Sequence, residues 1–301
     1  MMNNINTMNI AYSLNRYYLP YTLISMYSLL TAGKGDRNLR ILLSVDQDLC
    51  MDDLSPLFRM VSCFPGCTLE ARWPLSGTTR RFVSDETCVL SPDAVQVAYF
   101  RLFLPEFFAG ETRCLYLDSD LVITRPLADL YDTEMNRICI AGITDRLCLE
   151  ETHLRRLKDD WGIEAGYYIN AGVVLMNLEA MRASGSAREA LELAYHKPFR
   201  YLDQDVLNQV YRNKVRLLPK TYNVFPDDRQ EDLAFLRRLL PDREDLFPDQ
   251  ALTDPAIIQY IGEKKPWASR GVPYEQFWHD TVHAYEKLFK VQEGAGNAAK
   301  C

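Results

Sequence analysis

Between Arg113 and Thr124 the chain reads Arg-Cys-Leu-Tyr-Leu-Asp-Ser-Asp-Leu-Val-Ile-Thr, an apolar run broken by a pair of carboxylates one residue apart. Before Asp118 the run shows no polar alternation, so it fits a strand buried on both faces. In an extended segment side chains at i and i+2 point the same way, which sets Asp118 and Asp120 on one face just beyond that strand. Two like charges so placed repel unless a cation lies between them. A divalent ion with a polyphosphate on its far side is one reading of the pair; a polar turn after a strand is the other.

The rest of the chain repeats a strand-then-helix rhythm. Asn9 to Leu14 reads as a buried strand, and Pro20 to Leu30 places Leu23, Met26, Tyr27 and Leu30 at helical spacing with proline in the first turn. Leu39 to Val45, Thr68 to Arg72, Arg137 to Ile143, Tyr167 to Leu178, Val215 to Leu218 and Ile257 to Gln259 supply further strands. Helices are expected over 52–61, from Ser91 as N-cap to Phe108, over 150–161, 187–195, 205–211 and 274–290. Asp203 at the head of the 205–211 helix has the place of an acidic cap. Residues 227–254, with no core stripe except around Leu233 to Leu240, read as a charged surface excursion, and 294–301 as an unstructured tail. This alternation implies an α/β fold: a single Rossmann-like domain over 1–270, with a mostly parallel central sheet covered by helices on both faces, followed by a C-terminal helix and tail over 271–301. Such sheets bind ligands beyond the carboxyl ends of their strands, where Asp118 and Asp120 fall.

A net charge of −7 argues against nucleic acid, which calls for a basic face. No apolar run reaches the length of a membrane span and the first residues lack a basic leader, so no integral membrane segment is expected. The eight cysteines are scattered without a C-x-x-C pair, which fits a reducing, cytoplasmic setting.

Six segments in one order carry a resemblance: the opening strand and loop, Tyr99-Phe-Arg101-Leu, Leu115-Tyr-Leu-Asp118-Ser119-Asp120, Tyr168-Ile-Asn170-Ala171-Gly172-Val, Asp203-Gln204-Asp205-Val-Leu-Asn208, and Gly262-Glu-Lys-Lys265-Pro-Trp267. Together they resemble the retaining glycosyltransferases of family 8, the group that includes glycogenin and the lipooligosaccharide galactosyltransferases, over roughly residues 8–270. The resemblance implies the GT-A form of the fold and a UDP-sugar donor. It also implies Mn²⁺ or Mg²⁺ on Asp118 and Asp120, and transfer of a hexose, glucose or galactose, to form an α-linkage. Lys265 and Gly262 then face the diphosphate, the backbone of Ala11 and Ser13 with Asn15 and Tyr17 the nucleoside, and Ser119, Asn170 and Ala171 the donor. Arg101, Asp145, Asn170, Asp203 and Gln204 fall to the sugar, with Asp203 and Gln204 nearest the reacting carbon and Asp145 a further stabiliser.

Two departures matter. Gln259 stands where relatives carry a histidine as third metal ligand, and a carboxamide offers oxygen in place of an imidazole nitrogen. The opening loop is Asn15-Arg16-Tyr17-Tyr18 where relatives carry Asp-Asp-Asn-Tyr, which weakens the uridine assignment. A neutral amide is a poor nucleophile, so front-face transfer assisted by the departing diphosphate is expected over a covalent intermediate on Gln204. The alternative function is a nucleotide-sugar-binding protein of the same fold with weak or lost transfer. A nucleotidyltransferase or dehydrogenase is disfavoured because no glycine-rich phosphate loop follows the first strand. The acceptor is expected to be a glycan or glycoprotein, soluble or protein-linked, since the C-terminal region lacks a strongly basic tail.

Overall fold

A computed structural model of the protein describes residues 6–298 apart from 75–80, 87, 89–91 and 213. The expected cap Ser91 lies outside these. The chain runs β1 (Thr7–Leu14), α1 (Leu19–Ser28, ending in a π-helical turn Leu29–Gly33), β2 (Asn38–Val45), α2 (Ser55–Ser62) and β3 (Cys67–Arg72). Next come α3 (Pro92–Ala98), a 3₁₀ stretch Tyr99–Phe103, α4 (Leu104–Phe107), β4 (Cys114–Leu117), β5 (Leu121–Ile123), α5 (Ala128–Tyr131) and β6 (Ile140–Thr144). The second half holds α6 (Glu151–Trp161), β7 (Ile169–Met176), α7 (Leu178–Ala183), α8 (Ser186–His196), α9 (Leu202–Val210), β8 (Val215–Leu217), α10 (Gln230–Leu239), β9 (Ile257–Gln259) and α11 (Glu275–Ala298).

Seven strands form one sheet in the order β3-β2-β1-β4-β7-β6-β8. The β3-β2-β1-β4 half is parallel throughout, and β7 alone runs antiparallel to both its neighbours. The mostly parallel sheet expected from the strand-helix rhythm is therefore present. Its two faces bury separate apolar layers: Tyr116, Val174 and Met176 meet Phe100, Leu191 and Val206 on one side, while Leu115, Leu117 and Val173 meet Met26, Leu29 and Leu57 on the other. Burial of this kind contributes about 25 cal/mol per Å² of apolar surface, the dominant favourable contribution to folding.

The run from Arg113 to Thr124 is two strands, not one. Cys114–Leu117 lies in the central sheet, whereas Leu121–Ile123 leaves it and pairs antiparallel with β9, Leu121 opposite Gln259. Asp118-Ser119-Asp120 is the crossing between the sheets, and β9 delivers Gln259 beside it. Trp278 of α11 and Ile24 of α1 pack over the small sheet, with Tyr21 and Trp267 stacked at 4.1 Å between ring centres.

Three expectations are corrected. Residues 227–254 are no surface excursion: Leu233, Leu236, Leu246, Phe247 and Ala251 are all buried. Leu233 and Leu236 fall in the stripe the sequence showed, on α10, while Leu246 and Ala251 lie on 3₁₀ turns whose tighter period hides them. Helix α9 begins at Leu202 rather than Asp205. Helix α11 continues through Gly294 to Ala298, since the interleaved alanines favour helix and each glycine costs only about 1 kcal/mol. Among the described residues no helix is long and apolar enough to cross a membrane.

Candidate active site

At the carboxyl ends of β1 and β4 lies a cavity of about 440 Å³, within the size range of small-molecule sites. Its wall includes Ser13, Arg101, Asp118, Ser119, Asp120, Asn170, Ala171, Asp203, Gln204, Gln259, Gly262 and Lys265. These residues come from six separate stretches, and the fold gathers them at one point.

Every carboxylate oxygen of the acidic pair has a partner. Asp118 Oδ1 accepts from Arg101 Nη2 at 3.0 Å, and Asp118 Oδ2 from Gln259 Nε2 at 2.9 Å. The same amide nitrogen donates to Asp120 Oδ1 at 3.2 Å, and Lys265 Nζ lies 2.6 Å from Asp120 Oδ2. The shared face expected from the i, i+2 spacing is real, since one amide touches both acids. Burial raises the Asp118 carboxyl above its ordinary value, Arg101 draws it down and Asp120 adds to the rise.

Gln259 reaches the pair because residue 172 is glycine. A Cβ there would lie 2.3 Å from both Gln259 Nε2 and Oε1, far inside contact distance. Gly262 has φ +79°, a conformation glycine adopts without penalty, and a side chain there would meet nothing.

The second half of the site is a network of amides. Asn170 Oδ1 accepts from Gly172 N at 2.9 Å and Asn223 Nδ2 at 2.9 Å; Asn170 Nδ2 donates to Asp145 Oδ2 at 2.8 Å and Gln204 Oε1 at 3.1 Å. An asparagine amide has two donors and two acceptor sites, so Asn170 is saturated by protein. Gln204 Oε1 also accepts from Ala171 N at 3.0 Å, so this carbonyl has both lone pairs engaged. The two backbone N–H groups are donors in any assignment, which fixes which end of each amide is oxygen.

Asp203 does not cap α9 as its position suggested. Its Oδ2 lies 2.9 Å from Arg101 Nε, while Asp205 Oδ2 accepts from Tyr201 N at 3.0 Å and closes the helix start instead. Burial pushes the Asp203 carboxyl up to about 7 against the pull of Arg101. The residue before it, Leu202, has φ +47°, a conformation that costs a non-glycine residue about 1–3 kcal/mol and that clusters at functional sites.

Four expected residues lie off the cavity wall. Ala11 is fully buried within β1. Asn15 turns its Oδ1 to Tyr18 N at 3.1 Å. Tyr17 is 65% exposed, outside the cavity lining. Asp145 is buried behind Asn170, its Oδ1 accepting from Leu147 N at 2.8 Å. In place of Tyr17 the next residue, Tyr18, lines the cavity; burial and the nearby Asp120 and Asp118 raise its hydroxyl pKa. Tyr116 is a second residue that the sequence did not single out, and the Arg101 guanidinium lies 4.0 Å from its ring centre. A tyrosine inside an apolar strand gives no periodic signal to separate it from the core.

The family described as Glycosyl transferase family 8 matches residues 9–271. The chain belongs to that family. This family 8 chain is 27% identical over 273 residues to the lipopolysaccharide 1,2-glucosyltransferase of Escherichia coli, covering 88% of this chain and 75% of that protein. It is 25% identical to a putative glycosyltransferase of Haemophilus influenzae, over 74% of this chain, and spans 65% of that relative's length. In structure it is similar to the galactosyltransferase LgtC solved with donor and acceptor sugar analogues, with a TM-score of 0.69 at 22% identity over 92% of this chain and 96% of that one. The GT-A fold expected from the sequence is thereby shared.

The family implies a divalent metal, and the oxygen donors present fit one. Gln259 Oε1 is buried with no hydrogen-bond partner, on the same carboxamide that touches both acids. A half-turn of that amide directs Oε1 at the pair, giving two carboxylates and a carbonyl for a hard cation. Among the described residues no cluster of three His, Cys, Asp or Glu side chains offers another metal site.

Proposed function

We propose that the protein transfers a hexose, glucose or galactose, from a UDP-sugar to a hydroxyl of a glycan acceptor with retention of configuration, forming an α-linkage. The observation that carries this reading is the meeting of the acidic pair, Lys265 and the Asp203-Gln204 pair on one cavity wall. Diphosphate is the leaving group of such a transfer, and its charge grows as the glycosidic bond breaks. When bound, Mn²⁺ or Mg²⁺ on Asp118, Asp120 and Gln259 supplies Lewis-acid stabilisation of that charge.

The chain's own residues do the rest. Lys265 is free to exchange Asp120 for a phosphate oxygen as a mobile point charge. Gly262 lets the backbone come close to the phosphates. Tyr18 offers a ring for a base to stack on, an interaction worth about 1–3 kcal/mol per base; Ser13 and Ser119 line the same cavity, and Asn15 fixes the turn that presents Tyr18. Arg101, held between Asp118 and Asp203, gives the sugar a rigid cationic edge.

Gln204 supports front-face transfer. A carbonyl oxygen already accepting from Asn170 Nδ2 and Ala171 N has no lone pair left to attack an anomeric carbon. The acceptor proton then passes to the leaving diphosphate, while Asp203 opposes the positive charge growing on the sugar. The acceptor reading follows the names of relatives that act on lipopolysaccharide and favours a glycan over a protein. A second reading, donor binding without efficient transfer, is favoured by one observation: all four oxygens of the acidic pair already have protein partners.

Incubation with a panel of UDP-sugars, with and without Mn²⁺, separates the two. Metal-dependent UDP release from one donor is expected, and Asp120→Asn should lower it by a factor on the order of 10²–10³. Tight binding of a donor with no UDP release under any condition would establish the second reading.

A further inference from the structure

Behind the cavity lies a buried amide that makes one side-chain hydrogen bond. Asn223 is fully buried, its Nδ2 donates to Asn170 Oδ1 at 2.9 Å and its Oδ1 has no partner. A buried polar atom left unpaired costs about 1–3 kcal/mol. The one side-chain hydrogen bond of this buried amide goes to Asn170, a residue of the cavity wall.

The loop that carries Asn223 is fixed on every side. Lys220 Nζ, itself 2% exposed, lies 2.8 Å from Asp228 Oδ2, and its ammonium is 4.1 Å from the Phe225 ring centre. Asp228 Oδ2 also accepts from Phe225 N at 2.6 Å. Val224 pairs with β9: its N donates to Ile257 O at 3.0 Å, and its O accepts from Gln259 N at 2.9 Å. The same loop therefore holds Asn170 through Asn223 and the backbone of Gln259 through Val224.

We propose that Asn223 is a positioning residue for glycosyl transfer: by donating to Asn170 Oδ1 it sets the amide of Asn170, and through Asn170 the carboxamide of Gln204, in the orientation the reaction needs. The inference rests on the transferase reading above. Asn170 has no spare hydrogen-bonding capacity, so it acts on the donor chiefly through the partner it orients. Turning the Asn170 amide over would aim its NH₂ at the Gly172 N–H and its oxygen at the Asp145 carboxylate and Gln204 Oε1. Each of those contacts would be repulsive, so the network has one working arrangement and Asn223 closes it.

Asn223→Asp tests this with no change of shape. As a carboxylate the new side chain sets an anionic acceptor against the acceptor Asn170 Oδ1 with no proton between them; protonated, it donates a hydrogen bond and restores the contact. Asp145 beyond Asn170 and the Lys220–Asp228 pair are the other charged groups around the loop, so the readout is the ratio of variant to wild type at each pH. At pH 8 the variant's kcat should fall about tenfold or more, as for a misplaced catalytic shell, while its affinity for UDP, measured by calorimetry, stays within about twofold. The kcat ratio should climb towards one as the pH is lowered to 5.5.

A wild-type kcat ratio across the pH range overturns the inference. So does a parallel loss of kcat and UDP affinity with no recovery at low pH, which marks a loosened fold. If the wild-type protein neither binds UDP nor releases it from any UDP-sugar, the transferase reading falls and takes the inference with it. An active wild type with an indifferent variant sinks the inference alone.

Discussion

At the scale of single residues, Gly172 and Asp203 show how tightly this site is drawn. With a Cβ at 172 only 2.3 Å from the Gln259 amide, Gly172→Ala must drive Gln259 off the acidic pair or distort β7. Overpacking of this sort costs typically 1–3 kcal/mol. Urea unfolding should register that loss, and Mn²⁺ titration followed by electron paramagnetic resonance should show weaker binding; unchanged metal affinity would remove Gln259 from the ligand set. Asp203 predicts a pH effect of defined sign. Its folded pKa of about 7 exceeds the ordinary aspartate value of 3.8, so the folded state holds the proton more tightly than the unfolded chain. The stability this contributes is complete below about pH 4 and is lost as the pH rises through 7. Asp118, Asp145 and Asp205 shift the same way. Unfolding free energies measured between pH 5 and 8 should therefore decline less in Asp203→Asn than in wild type, by an amount on the order of a few kcal/mol at most. Equal slopes in the two proteins would show that the carboxyl titrates normally.

At the scale of elements, the sequence discloses what is periodic and conceals what is irregular. Strands such as β1, β2, β6 and β7 were legible because each is a run of apolar residues too short and too dense for an amphipathic helix, whereas β5 did not separate from β4. The segment after β4 was legible in its chemistry and not in its path: nothing local says that Leu121 leaves the central sheet to pair with Gln259, since that pairing joins residues far apart in the chain. In the stretch 227–254 the core stripe around Leu233 was legible on α10, whereas Leu246 and Ala251 lie on 3₁₀ turns without a 3.6-residue repeat. The site itself was legible where motifs carry it, from Arg101 to Lys265. It was not legible at Tyr18, Tyr116 and Asn223, whose roles depend on which neighbour they meet. Asp145 is expected beside the sugar, and the fold sets it behind Asn170 rather than on the cavity wall.

At the scale of the whole molecule, the site stands where the large sheet, the small sheet and the loop from Lys220 to Asp228 meet, so occupancy of the site should report on the stability of all three. On the proposed function the acidic pair would couple its two ligands. Lys265 on Asp120 and Arg101 on Asp118 give the pair two cationic partners, and Gln259 adds a donor to each acid. To hold a metal without UDP, Asp120 would have to release Lys265 and the Gln259 amide would have to turn, leaving the ammonium without a counter-charge. With UDP also bound, Lys265 would have a phosphate oxygen to take in exchange. Metal and nucleotide should then bind with positive coupling, each raising the affinity of the other by the same factor. A ligand at a hundred times its Kd stabilises the folded state by about 2.7 kcal/mol. For a chain of this size that is a rise in melting temperature of several degrees. Thermal unfolding with Mn²⁺ alone, UDP alone and both together should therefore show a combined shift larger than the sum of the separate ones. In Lys265→Ala the shift from metal alone should grow, because the competing ammonium is gone, and the excess from the combination should shrink. Additive shifts in the wild-type protein would mean that Lys265 and the metal do not contend for Asp120.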